Sequence, residues 1–274
     1  MKVQFVKMSG AGNDFVVVDN RSGRIKNGGK TARLLCDRRW GIGADGLLLL
    51  QKSRRADYRM MYYNADGSYG GMCGNGGRCI ASYAVTHRIA SKKHTFEALN
   101  YVYRAAVNPR DVTLFMRDPQ DLSLEESLTL DSRHQRFSFV DTGAPHVVVF
   151  LDELANGAKN LDGVQLGTLG PQLRYHPRFA PGGTNVNIVE PTGAKCLSIR
   201  TYERGVEDET LACGTGSIAA ALIASRLRKM KPPIKVRPRS RVPLTIDFSN
   251  EGGRTTNVRL TGPAAAVFEG EIEI

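Results

Sequence analysis

No apolar run in this chain approaches the ~20 residues that a helix needs to cross a bilayer. Its start, MKVQFVKMSG, lacks an apolar core followed by a small-residue cleavage site. The expectation is a cytoplasmic protein with no membrane partner. Cysteine is sparse and odd in number, with five residues, and Cys36, Cys73, Cys79, Cys196 and Cys213 show neither CxxC nor paired Cys/His ligand spacing. A disulfide framework and a metal site are therefore not expected, and the thiols fit a reducing compartment. Acidic residues are in deficit, 27 against 38 Lys and Arg, which leaves a net charge of +11. That surplus does not read as a nucleic-acid surface. The basic residues are scattered, and the one dense stretch, Arg226 to Arg241, is interrupted by Pro232, Pro233 and Pro238 and has few aromatics. A solvated basic surface without a nucleic-acid partner is the expectation.

What is present is ordinary globular composition, 41% hydrophobic and 24% charged over 274 residues, enough for two domains with a core each. The chain also repeats itself. The segment MSGAGNDFVVVD from Met8 aligns without gaps with DTGAPHVVVFLD from Asp141, pairing Gly10 with Gly143, Ala11 with Ala144 and Asn13 with His146. Downstream, the segment around Cys73 matches that around Cys213, with Tyr62 and Tyr202 each eleven residues before the cysteine and Asn64 and Arg204 each nine before it. Two ordered matches at nearly constant offset predict two copies of one domain, related by a pseudo-two-fold axis. The boundaries expected are 1–118 for the first domain and 119–263 for the second, with the final strand, 264–274, returning to the first.

Short β-rich runs, among them Phe15 to Val18, Arg59 to Tyr63, His146 to Leu151 and Val186 to Val189, are separated by Gly, Pro, Asn and Asp. Helices are expected over Thr31 to Asp37, Gly76 to Thr86 and Gly216 to Arg228. The last is apolar on every side from Ile218 to Ala224, so it should be enclosed. The fold class is α+β, each domain a curled, mostly antiparallel sheet around a buried central helix.

The two duplicated cysteines stand at the starts of those helices, in Cys73-Gly74-Asn75-Gly76 and Cys213-Gly214-Thr215-Gly216. Asn75 and Thr215 are good N-cap types, and glycines let backbone N–H groups converge on a ligand. Such an entrance carries roughly half a positive charge, so it binds carboxylate and favours thiolate over thiol. Two of them facing one another could remove a proton from one face of an amino acid's α-carbon and deliver one to the other. The preorganised N–H groups would meanwhile hold the carboxylate. A buried Cys is more often a small hydrophobe than a catalyst, and that is the reading for Cys36, Cys79 and Cys196. A phosphatase-type loop is excluded at Cys73: Arg78 stands one residue short of the usual spacing, and the second copy has Ser217 and Ile218 instead of an arginine.

The motifs SGAGNDF (Ser9 to Phe15), WGIGADGL (Trp40 to Leu47), NADGS (Asn64 to Ser68), MCGNGGRC (Met72 to Cys79), APH (Ala144 to His146), GGTNVN (Gly182 to Asn187) and YERGVEDETLACGTG (Tyr202 to Gly216) closely resemble those of the diaminopimelate epimerases. They are similar, more distantly, to those of the proline racemase group. The likeness runs over nearly the whole chain. It implies reversible conversion of LL-diaminopimelate to the meso isomer, feeding lysine synthesis and peptidoglycan cross-links, without pyridoxal phosphate or metal and in a homodimer. A proline racemase or hydroxyproline epimerase is the alternative.

By the same resemblance Cys73 and Cys213 are the acid/base pair, with His146 beside Cys73 and Glu203 beside Cys213 as proton acceptors. Gly74, Asn75, Gly214 and Thr215 hold the reacting carboxylate. Asn13, Asn64, Asn185 and Arg204 bind the substrate, the last three chiefly at its distant end, and Glu203 is also among the substrate-binding residues. Asp14 and Asp66-Gly67 read as turn or capping chemistry. Two departures concern substrate fit. Many relatives have Asn-Pro-His where Ala144-Pro145-His146 stands here, and some carry glutamine where Gly46 stands.

Overall fold

The computed structural model describes residues 1–155 and 157–274. Two compact units form, Met1–Met116 with Thr261–Ile274, and Arg117–Leu260. Among the described residues no helix is long and apolar enough to cross a membrane.

The first unit comprises β1 (Lys2–Gly10), β2 (Asn13–Asp19), α1 (Gly28–Cys36), β3 (Gly46–Gln51), β4 (Tyr58–Asn64), α2 (Gly74–Thr86), β5 (Lys93–Ala98), β6 (Tyr101–Val107) and β7 (Val112–Phe115). The second comprises β8 (Gln120–Leu130), β9 (Arg133–Asp141), β10 (Pro145–Phe150), α3 (Leu166–Arg174), β11 (Asn185–Gly193), β12 (Cys196–Glu203), β13 (Asp208–Thr210), α4 (Gly214–Leu227), β14 (Ile234–Arg237) and β15 (Leu244–Glu251), followed by β16 (Arg254–Gly262). The last strand, β17 (Ala265–Glu273), lies antiparallel to β1, with Lys2 opposite Glu273.

The repeat seen in the sequence is a repeat of topology. In the first unit β2 runs parallel to β3, β3 antiparallel to β4, and β4 parallel to β5. In the second, β10 runs parallel to β11, β11 antiparallel to β12, and β12 parallel to β14. A parallel pair needs a crossover connection. The connections are α1 and α2 in one unit, α3 and α4 in the other.

Strands covered on both faces read as unbroken apolar runs, which is why Val16–Val18, Leu47–Leu50, Val147–Phe150 and Val186–Val189 show little alternation. Val16, Val18, Leu47 and Leu49 pack on the α1 side with Ala32 and Leu35. Their counterparts Val147, Val149, Val186 and Ile188 pack on the α3 side with Leu166, Leu169 and Leu173. The opposite faces enclose α2 and α4. Helix α2 meets β1, β2, β6 and β7, and α4 meets β10, β11, β12 and β15. Every residue of α4 from Gly216 to Ala224 is buried, as its all-round apolar sequence requires.

Helix α3 was not foreseen. It contains Gly167, Gly170 and Pro171, residues that argue against a helix on propensity, yet its leucines are buried under the sheet and tertiary packing decides. Gly170 permits the contact: a Cβ there would lie 2.5 Å from the Tyr202 ring. Gly170→Ala should therefore destabilise the protein by about 1–3 kcal/mol although alanine is the better helix former. Urea unfolding of the two proteins checks the sign.

Candidate active site

Both cysteine-bearing helices begin two residues earlier than their glycines and polar residues suggest, because the sulfurs themselves are the caps. Cys73 and Cys213 sit in extended backbone (φ −121°, ψ 123° and φ −113°, ψ 115°) at the N-caps of α2 and α4. Sγ of Cys73 accepts from Gly76 N at 3.5 Å, and Sγ of Cys213 from Gly216 N at 3.4 Å. Thr215 is not the cap; its hydroxyl lies 3.4 Å from Cys213 Sγ. A sulfur that receives backbone N–H groups at a positive helix end is stabilised as thiolate. Cys36 and Cys79 are different: burial pushes both thiols up to about 12, so they stay protonated and inert at neutral pH.

At the α2 entrance, Asn75 is buried and its amide donates to Asn13 Oδ1 at 2.5 Å; Asn13 in turn donates to Asp45 at 3.1 Å. Asn64 stands apart from this pair, at the end of β4. It accepts from the Tyr62 hydroxyl at 2.6 Å and donates to Ser68 at 2.9 Å. Asp14 and Asp66 are structural, as their sequence context suggested. Burial raises the Asp14 carboxyl, but hydrogen bonds from Arg38 and Lys7 outweigh it and bring it down to about 2. Asp66 caps the turn at Ser68.

At the α4 entrance the sheet contributes more. His146 on β10 lies opposite Asn185 on β11. Asn185 spans two backbones, donating to Pro145 O at 2.9 Å and accepting from Arg204 N at 2.9 Å. It thereby holds the His146 turn to the start of the Arg204 loop. Glu203 accepts from Thr210 at 2.8 Å. The Arg204 side chain is exposed and lines a cavity of about 520 Å³ with Gly143, Ala144, Pro145, Arg178 and Phe179.

Asn187 was missed, although the two-residue spacing from Asn185 puts both on one face of β11. Fully buried, it donates from Nδ2 to Val147 O at 2.8 Å and contacts His146 Nδ1 at 3.1 Å, while Oδ1 accepts from Thr201 at 3.0 Å. A side chain on Gly216 would run into Asn187 Oδ1 at 2.4 Å, so Asn187 also touches the α4 entrance. The carbonyl of Val147 fixes which amide atom is nitrogen. His146 Nδ1 must then accept, and its hydrogen is carried by the buried Nε2, which has no hydrogen-bond partner among the described residues. Burial, with the charge of Arg204 adding to it, lowers His146 to about 3. The imidazole is therefore neutral and carries its hydrogen on Nε2.

The family model and the curated relatives agree with one another. The family model of diaminopimelate epimerase matches residues 5–118 and 138–266. A diaminopimelate epimerase of Chlorobaculum tepidum is 44% identical, covering 97% of this chain and 100% of its own length. One of Aquifex aeolicus is 39% identical, covering 98% of each. The chain belongs to the diaminopimelate epimerase family. Solved structures share its fold at low identity. A phenazine biosynthesis protein of the PhzF family from Bacillus anthracis superposes with a TM-score of 0.76 over all of both chains at 16% identity. A hydroxyproline epimerase from Agrobacterium vitis does so with a TM-score of 0.70 over 99% of this chain and 92% of its own, also at 16%.

Within this diaminopimelate epimerase family, the departure at Gly46 has a structural reason. A Cβ at Gly46 would lie 2.5 Å from the Tyr62 ring and 2.6 Å from Tyr63 O, so Tyr62 occupies the space that a glutamine side chain would need. Ala144 leaves a small apolar side chain in the wall of the Arg204 cavity.

Because His146 binds a proton more weakly folded than unfolded, the unfolded chain holds more protons between the ordinary value of 6.5 and about 3. Its contribution to stability is complete above pH 6.5 and is lost as pH falls, with a limiting slope of ~1.4 kcal/mol per pH unit. The expected outcome is that His146→Gln flattens the acid limb of unfolding free energy against pH, measured by denaturant titration at several pH values.

Proposed function

We infer that the protein is a diaminopimelate epimerase, an isomerase that interconverts the LL and meso forms of 2,6-diaminopimelate at one α-carbon. The observation that carries this reading is the family match across both halves of the chain, at 44% identity over essentially the full length of a curated epimerase. The duplicated thiol caps supply the chemistry. In the proposed mechanism one of Cys73 and Cys213 is a thiolate that takes the α-proton, and the other is a thiol that returns a proton to the opposite face. Negative charge developing on the substrate carboxylate is met by backbone N–H groups at Gly74 and Asn75, and at Gly214 and Thr215.

The same entrances lower the thiols toward the working pH, so no external base is needed. Neutral His146 keeps its Nε2 hydrogen for an anion. Glu203, held by Thr210, is the acidic group proposed to accompany Cys213. Asn64, Asn185 and Arg204 are proposed to receive the distant amino-acid end, with Arg204 as the cation for its carboxylate. That end also distinguishes the reading from a proline racemase, whose ligand has no second carboxylate. A cytoplasmic homodimer is the proposed setting, in keeping with the family likeness and with thiols that must stay reduced.

Pure protein incubated with LL-diaminopimelate in D2O, with no cofactor added, should yield meso product carrying α-deuterium. Reduced, folded protein that gives neither would overturn the assignment. Cys73→Ala and Cys213→Ala should each lower kcat by ~100-fold or more with a far smaller change in KM, as expected for groups that act in proton transfer. Mild oxidation should join the two sulfurs and stop turnover until a reductant is added. Oxidised, inactive protein in which both remain alkylatable would count against facing thiols.

A further inference from the structure

The sequence carries one arginine that the reaction does not call for. Arg78 lies in the second turn of α2, five residues after Cys73, and its side chain is 0% exposed. Its three hydrogen bonds go to neutral acceptors. Nη2 donates to Asn75 Oδ1 at 2.8 Å, Nη1 to Gly74 O at 3.3 Å, and Nε to Pro263 O at 3.4 Å. Among the described residues no carboxylate lies within ion-pair distance of this guanidinium. A buried charge normally demands a counter-charge, and arginine cannot shed its proton to escape. The guanidinium reaches back to Gly74 and Asn75 in the first turn, where a cation opposes the helix dipole. Burial draws Arg78 below its ordinary value, while the negative charges that Cys79, Cys73 and Asp111 can carry act in the opposite sense. Of these, Cys79 is held protonated by its own burial, and Asp111 lies in the turn between β6 and β7.

Two consequences follow from these contacts. Because Arg78 donates to Asn75 Oδ1, the Asn75 amide is left to donate to Asn13, and Asn13 to donate to Asp45. The orientation of two proposed substrate-binding amides is set from behind by one cation. Helix α4 carries no equivalent buried arginine; the cation at that entrance, Arg204, is exposed and directly follows the half-buried carboxylate Glu203. Five residues after Cys213 stands Ile218, buried, and Ser217 merely donates to Cys213 O at 2.8 Å. The two caps therefore share a geometry but differ in electrostatics.

We propose that Arg78 is a positioning residue of this site: its buried guanidinium fixes the Asn75–Asn13 pair and holds negative charge at the α2 entrance, so that Cys73 ionises at lower pH than Cys213. This rests on the reading of Cys73 and Cys213 as the acid/base pair, and it adds an order to them: in the resting protein Cys73 is the thiolate and Cys213 the thiol.

The test is the pH dependence of iodoacetamide alkylation at each cysteine of the full chain without substrate, followed by peptide mass spectrometry. Each profile is normalised to its own plateau, so that accessibility drops out. Cys73 should reach its midpoint about one pH unit or more below Cys213, a ~10-fold difference in ionisation ratio. Arg78→Gln should raise the Cys73 midpoint by a similar amount and leave that of Cys213 in place. Arg78→Lys, which keeps the charge but not the forked donor, should retain the Cys73 midpoint while raising KM. Coincident midpoints in the unmodified chain overturn the proposal even if the variants do not fold, as does a folded Arg78→Gln whose Cys73 midpoint is unmoved. The functional reading fails separately: ordered midpoints with no deuterium exchange into diaminopimelate would reject the epimerase and leave the electrostatic role of Arg78 standing.

Discussion

A helix that starts inside a sheet-wrapped core must find partners for its first N–H groups where little water reaches them. In this protein that requirement is met at both central helices by a cysteine sulfur, and the rest of the site depends on it. The sulfur takes an N–H from the third residue onward, Gly76 or Gly216, a contact that favours thiolate over thiol. In the proposed mechanism, structural need and chemical use coincide in one atom. The enclosure of α2 and α4 makes the N–H groups worth more, since a donor screened from water acts in a lower dielectric.

Around this shared cap the two units have diverged. The first supports its entrance with a chain of amides from Arg78 through Asn75 and Asn13 to Asp45. The second supports its entrance from the sheet, through His146, Asn185 and Asn187 on neighbouring strands. Asn13 and His146 occupy equivalent positions in the repeat, each at the start of a strand leading into a parallel crossover. Duplication preserved the backbone frame, and the polar side chains placed on it were free to differ.

Much of this was legible in the residues. The apolar runs at Phe15–Val18 and Val186–Val189 marked strands covered on both faces, and Ile218–Ala224 marked an enclosed helix. The duplicated Cys-Gly-polar-Gly segments located both entrances. The parts that were not legible depend on contacts between residues distant in the chain. Helix α3 breaks propensity at Gly167, Gly170 and Pro171 and exists because its leucines pack beneath β11 and β12 and Tyr202 needs the gap at Gly170. The caps were misassigned to Asn75 and Thr215 because sulfur is an unusual capping atom and side-chain preference alone favours the amide and hydroxyl. The donor state of His146 followed only once Val147 O had fixed the amide of Asn187, and no local pattern carries that information. Gly46 read as a missing side chain, whereas in the fold its place is filled by Tyr62.

The pairing of β1 with β17 has a further consequence for how the molecule is made. Lys2 meets Glu273, the terminal amine meets Ile274 O, and Pro263 O receives Arg78, so the first unit is closed by residues that follow the whole of the second. The second unit is complete within an uninterrupted stretch and can fold during synthesis. The first must wait with β1 lacking a neighbour and with the α2 guanidinium lacking an acceptor, across a loop closure of nearly the whole chain. The order of the α2 entrance thus depends on a contact with residues made after the whole of the second unit.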